Sequence, residues 1–165
     1  MNPAFHRFHQ QLTNPLKFRL FMLKRLPAAF FAGLRIQAFD EQHTIITVKY
    51  KWFTQNPFRS MYFAVQSMAA EMSTGLLASS QVYQRTPRVS MLVIGLEAKF
   101  FKKMTDTAFF TCNDGEAIAR IVEEAIASGE GKTITCSSVG TNLAGEKVSE
   151  FLVTWSFKTK HQQSA

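Results

Sequence analysis

"NPFRSMYFAVQSMAAEMSTGLL", residues 56–77, decides how the chain folds. Met, Ala, Leu, Gln and Glu dominate from Met61 onward, which favours helix over about Met61 to Leu77. The apolar residues run all round the helical wheel, so the helix is expected to be buried on most sides. One acidic side chain, Glu71, sits in its middle. Carboxylates are almost never fully buried without a partner, so Glu71 needs either a structural bond or a chemical role. The run Met61 to Ala78 is long enough to suggest a membrane span, but Gln66, Ser67, Glu71, Ser73 and Thr74 interrupt it. It reads as the buried helix of a soluble protein.

Around this helix the pattern alternates with period two. In "HTIITVKYKW" (43–52) Thr44, Ile46, Val48, Tyr50 and Trp52 share a face, as in a strand. "LRIQAF" precedes it, joined through the hairpin connection "FDEQH". "RVSMLVIGLEAKFFKKM" (88–104) and "TAFFTC" (107–112) are the next strands. "NDGEAIARIVEEAIASG" (113–129) is an amphipathic helix, with Asn113 and Glu116 spaced as a capping box and Gly129 as its stop. Ala117, Ile118, Ile121, Val122, Ala125 and Ile126 form its inward face. "KTITCSSVGTNL" and "KVSEFLVTWSFKTK" flank "AGE" as a hairpin, and Phe151, Val153, Trp155 and Phe157 alternate with polar residues. Strands arriving in hairpin pairs predict an antiparallel sheet. One fully apolar helix predicts that the sheet curls around it, with the 114–128 helix outside that wrap.

The chain of 165 residues suits a single domain. Sixteen Phe and seven Met predict a roomy, adaptable interior. Cys112 and Cys136 form no CxxC pair and read as buried, reduced thiols. The start "MNPAFHRFHQ" shows no signal-peptide pattern, which predicts a cytoplasmic protein. The formal net charge is +7, and the first fifty residues hold seven Lys/Arg against Asp40 and Glu41. That bias permits nucleic acid, an anionic membrane or a phosphorylated ligand without choosing among them. Asn14 to Leu26 reads as an N-terminal helix, capped by Asn14 with Pro15 at its first position and ended by Pro27. It is expected to lie on its own domain rather than on a membrane.

This order of elements, with one carboxylate in the apolar helix, resembles the hotdog fold of acyl-CoA thioesterases. The nearest likeness is to the phenylacetyl-CoA-thioesterase-like branch and its poorly characterised relatives. That branch carries an Asn in the loop, a His-Gly-Gly at the helix start, and an acid nine residues after the His. Here Asn56 matches the Asn and Glu71 the acid, with the spacing kept. Tyr62, Phe63 and Ala64 stand where the His-Gly-Gly would be. The likeness covers about residues 28–159, leaving 1–27 as a helical extension. It implies an α+β protein that hydrolyses an acyl thioester at a site shared by two subunits, as a homodimer or a dimer of dimers. No cofactor is implied beyond the coenzyme A of the substrate, and no metal.

The chemistry expected of these residues follows. Thioester hydrolysis needs a base or nucleophile facing the carbonyl and donors for the oxyanion. Glu71 is the candidate to activate water as a base or to attack directly and give an anhydride. An apolar setting would raise its pKa and improve it as a base near neutral pH. The free amides of a helix start, near Tyr62 and Phe63, are candidate oxyanion donors. Nine residues of helix span about 13 Å, too far for Glu71 and those amides of one chain to share a carbonyl, which argues for a two-chain site. Tyr62 either donates its hydroxyl or only packs, and Asn56 before Pro57 is either a site residue or a turn residue. Phe53, Phe58, Met61, Met68 and Met72, with Phe63, are candidates for an acyl slot. Arg85, Arg88, Lys99, Lys102 and Lys103 are candidates for the coenzyme phosphates.

Other functions fit less well. A hydratase would want a His beside the acid, and none of His6, His9, His43 and His161 lies near the central helix. His6 and His9 lack a third metal ligand. "YKWF" and "KFFKK" interleave basic and aromatic residues as nucleic-acid binders do, but their aromatics alternate toward the core. The remaining alternative is a non-catalytic acyl or lipid binder in which Glu71 is structural.

Overall fold

The long apolar helix, α4 (Phe63–Val82), is the axis of the protein in the computed structural model, which describes residues 2–159. His161 lies outside the described residues. Six strands, β1 (Arg35–Phe39), β2 (Thr44–Lys49), β3 (Val89–Phe100), β4 (Thr107–Cys112), β5 (Lys132–Thr141) and β6 (Lys147–Thr159), make one sheet. Their order is β1-β2-β4-β5-β6-β3, and every pairing is antiparallel. The sheet packs along α4, which is the hotdog arrangement the sequence predicts.

Alternation puts Phe110, Phe151, Val153, Trp155 and Phe157 against the helix, all buried. The polar residues of α4 are tolerated because the sheet answers them. Ser73 Oγ lies 2.8 Å from Ser138 Oγ. Trp155 Nε1 donates to Thr74 Oγ1 at 2.9 Å. Ser149 Oγ donates to Gln66 Oε1 at 3.0 Å. Buried polar groups without such partners are costly. The helix start differs from the rest, since Phe63 is 56% exposed.

Three expectations are corrected. β2 ends at Lys49, and Trp52 falls in a 3-10 turn (Trp52–Thr54), 83% exposed, rather than on the core face. The turn forms because Thr54 Oγ1 accepts from the Lys51 amide and donates to the Lys49 carbonyl, folding the chain away from the strand direction. The helix α5 (Gly115–Ser128) has no capping box. Its N-cap is Asp114, whose carboxylate instead accepts from the Ser137 amide of β5 at 2.7 Å. That bond continues the β5 edge where the β4–β5 ladder stops. Finally, α5 packs against α4 as well as β5 and β6, so it lies beside the central helix rather than outside the wrap. Ile118, Val122 and Ala125 are its buried stripe. Cys112 and Cys136 are free and buried, and burial pushes the Cys112 thiol up to about 12.

The N-terminal extension holds three helices where the sequence predicts one: α1 (Phe5–Thr13), α2 (Pro15–Arg25) and α3 (Pro27–Ala32). Asn14 caps α2 as expected, accepting from Leu16 and Lys17 amides. Pro27 ends α2 and serves as the first residue of α3, a position Pro suits. Phe5 and Leu12 of α1, and Phe18 and Met22 of α2, are buried in the main core. Asn2 pins this extension down. Its Nδ2 donates to the Ser80 and Tyr83 carbonyls at the end of α4, both at 2.7 Å.

Candidate functional site

Glu71 lies on the wall of a cavity of about 630 Å³. The α4 side of the cavity is Glu71, Met72, Gly75, Leu76, Ser79 and Tyr83, one helical face at i, i+4 spacing. Met91 of β3 and Trp155 of β6 close one side. The other side is the N-terminal extension, with Phe8, Leu12, Phe21 and Leu26 over the cavity and Gln11 and Lys17 at its polar edge. The Tyr83 hydroxyl accepts from Gln11 Nε2 at 3.2 Å, tying α1 to α4.

The Glu71 carboxylate is partly buried and has no hydrogen bond or ion pair among the described residues. Burial pushes its pKa above the usual carboxylate range. No structural partner therefore accounts for it. Gly75, one turn on, leaves it room.

Asn56 and Tyr62 gather instead at the start of the helix, with Phe58, Met61 and Phe63. Asn56, Phe58, Met61, Tyr62, Phe63, Phe100, Lys102 and Lys103 line a groove of about 570 Å³ at the α4 N-terminus. Asn56 is engaged in its own loop: Oδ1 accepts from the Phe58 amide at 2.9 Å and the Ser60 amide at 3.2 Å. The Tyr62 amide donates to the Thr54 carbonyl at 2.8 Å, so it is taken. The free amides at the helix start are those of Phe63 and Ala64, which have no earlier helical carbonyl to bind. The Tyr62 ring packs edge-on against Phe63, and its side chain does not cap the helix.

Of the expected acyl slot only Met72 reaches the Glu71 cavity. Phe53 is exposed beside the Lys51 ammonium, Met68 is half-buried against the core, and Phe58 and Met61 belong to the groove. Sequence reasoning missed the N-terminal half of the cavity. Its one signal was the recurrence of Phe8, Leu12 and Phe21 in a segment read as an appendage.

The five cations do not form one cluster. Arg85 and Arg88 precede the start of β3, while Lys99, Lys102 and Lys103 sit at its end. Ten residues of strand lie between Arg88 and Lys99, about 36 Å at the usual rise. Arg85 is already engaged with Glu123 and the Gln81 carbonyl. Lys102 pairs with Glu146 at 2.8 Å. Among the described residues no group of His, Cys, Asp and Glu can hold a metal ion, and no helix is long and apolar enough to cross a membrane.

No family model matches the chain, and no curated protein matches it in sequence. Solved structures do match its fold. A Pseudomonas aeruginosa protein of unknown function, named as a probable thioesterase, is 18% identical with TM-score 0.74, covering 88% of this chain and 97% of that one. A putative thioesterase from Shewanella oneidensis is 8% identical with TM-score 0.71, covering 92% and 99%. A thioesterase from Haemophilus influenzae is 13% identical with TM-score 0.60, covering 87% and 92%. At these identities the likeness establishes the hotdog fold.

Proposed function

We propose that the protein is a cytoplasmic acyl-CoA thioesterase that works as a homodimer or a dimer of dimers. The observation that carries this reading is Glu71: a partnerless carboxylate with a raised pKa on the wall of a largely apolar cavity. The names of the fold neighbours support the same reaction class.

The two-chain site follows from β3. It is a sheet edge of 12 residues, and Leu92, Ile94, Leu96 and Phe100 on it are exposed. Such an edge invites pairing. β3 starts at the Glu71 cavity, through Met91, and ends at the helix-start groove, through Phe100. Antiparallel pairing of β3 with its copy brings the cavity of one chain to the groove of the other. It likewise brings Arg88 toward the partner's cationic group, a place for the coenzyme phosphates.

In this arrangement the acyl group occupies the cavity under the N-terminal helices. Glu71 takes a proton from water, and the resulting hydroxide adds to the thioester carbonyl. The Phe63 and Ala64 amides hold the oxyanion. Collapse breaks the C–S bond, and the leaving thiolate takes the proton held on Glu71, giving acid and free thiol and restoring the carboxylate.

The test is thiol release from a panel of acyl-CoAs by the parent and by Glu71→Gln. Turnover should fall by roughly 10²-fold or more, with fold and assembly unchanged. Equal rates would mean a structural Glu71. A parent inactive on every thioester, yet binding acyl ligands, would favour the non-catalytic acyl binder, with Tyr62 in place of the family's His as the first suspect.

A further inference from the structure

The helix α2 has apolar stripes on opposite sides. Phe18 and Met22 face inward and are buried. Leu16, Leu20 and Leu23 lie on the far side of the helical wheel, at about 100° per residue, and are 69%, 49% and 44% exposed. Lys17 and Lys24 border this outer stripe. No Asp or Glu precedes Asp40, whereas Arg7, Lys17, Arg19, Lys24, Arg25 and Arg35 do. The same helix forms part of the wall of the Glu71 cavity, through Lys17 and Phe21.

The geometry points to α2 as a membrane-interface helix: the Leu16/Leu20/Leu23 stripe enters the surface of an anionic bilayer while Lys17 and Lys24 meet lipid phosphates. An apolar stripe bordered only by cations is what an anionic bilayer surface selects, since binding there sums buried apolar area and attraction to the headgroups. The helix is already folded on its domain through Phe18 and Met22, so docking carries no cost of ordering it. A second copy of the chain fits this face poorly. Two-fold pairing would set the cations against their own kind, with no carboxylate on the helix to offset them. The docking does not depend on the thioesterase reading, although it would put the wall of the acyl cavity at the bilayer.

The experiment is co-sedimentation of the full chain with phosphatidylglycerol vesicles and with phosphatidylcholine vesicles. The parent is expected to bind the anionic vesicles, and more weakly at high salt. Replacing Leu16, Leu20 and Leu23 together by Ser should weaken binding at least about tenfold. Lys17→Gln with Lys24→Gln should weaken it by about thirtyfold at low salt, the factor for two cations near an anionic surface. Thermal melts check that the variants, which leave Phe18 and Met22 intact, stay folded. No binding by the parent overturns the proposal. So does undiminished binding by the triple Ser variant, which would mean a purely electrostatic contact. A parent that ignores vesicles but loses subunits on the Ser changes has a second copy on this face instead. One that ignores vesicles but binds an acidic protein through the two lysines has a protein partner there. Either result also overturns it.

Discussion

A Cβ placed on Gly75 would lie 3.1 Å from Glu71 Oε1 and 3.2 Å from Trp155 Cζ2. Glycine in a helix interior costs about 1 kcal/mol relative to alanine, and here it keeps the space Glu71 occupies. Trp155 is held by its bond to Thr74 and yields little, so the carboxylate is the group that moves. Gly75→Ala is expected to change stability by less than about 1 kcal/mol, because the gain in helix propensity offsets the tighter contact. Turnover should fall about tenfold or more, since a small misplacement of a catalytic group is expensive. Chemical denaturation and thiol release read the two effects separately. An alanine variant with parental turnover would show that the position of Glu71 is not critical.

The raised pKa of Glu71 makes a prediction about pH. Its cause is burial, which favours the protonated form. Above the ordinary Glu pKa, about 4.3, the folded protein then holds more protons than the unfolded chain. Stability from this group is fully present below that value and is lost as pH rises through the folded pKa. Glu71→Gln carries no charge at any pH. The variant should therefore melt higher than the parent at neutral pH, and the gap should close as pH falls toward the ordinary value. Melting curves across this range check it; a gap that widens in acid contradicts it.

Thr74 bridges the helix and the sheet. Its hydroxyl accepts from Trp155 Nε1 at 2.9 Å and donates to the Glu71 carbonyl at 3.0 Å. Thr74→Val keeps the shape and leaves the buried indole N–H without a partner. The expected loss is about 1–3 kcal/mol, measured by denaturant unfolding. A neutral result would mean that the indole finds another acceptor.

The sheet and its central helix were legible because two periods say so directly. Phe151 to Phe157 alternate, and all-round apolarity buries α4. What escaped is tertiary. Asn113 and Glu116 have capping spacing, but the Asp114 carboxylate has a better use on the β5 edge. Trp52 continues an alternating pattern that Thr54 breaks by folding onto the Lys49 and Lys51 backbone. The acid on the cavity wall, Glu71, stands out in the sequence by its isolation among apolar residues. The residues expected to form an acyl slot scatter, because neighbours in sequence such as Phe53 and Phe58 do not line the Glu71 cavity. One side of that cavity comes from α1 and α2, far away along the chain, and no local pattern could announce that.

The two-chain site can be tested by mixing defects. Glu71→Gln removes the base. Phe63→Pro removes an amide donor at the first helical position, which Pro tolerates. Tyr62 before it is already extended, at φ −61° and ψ 134°, as a residue preceding Pro must be. Each variant alone should be nearly inactive. In a mixed dimer, the Glu71 of the Phe63→Pro chain faces the intact helix start of the Glu71→Gln chain, so one site is whole and the other carries both defects. Random mixing makes half of the dimers mixed, so activity should return to about a quarter of the parental value. Ile94→Lys near the middle of β3 would set like charges face to face across the two-fold, and should give monomers by light scattering and abolish that recovery. If mixed chains stay as inactive as their parents while subunit exchange is demonstrated, Glu71 and the helix start do not serve one carbonyl across the interface.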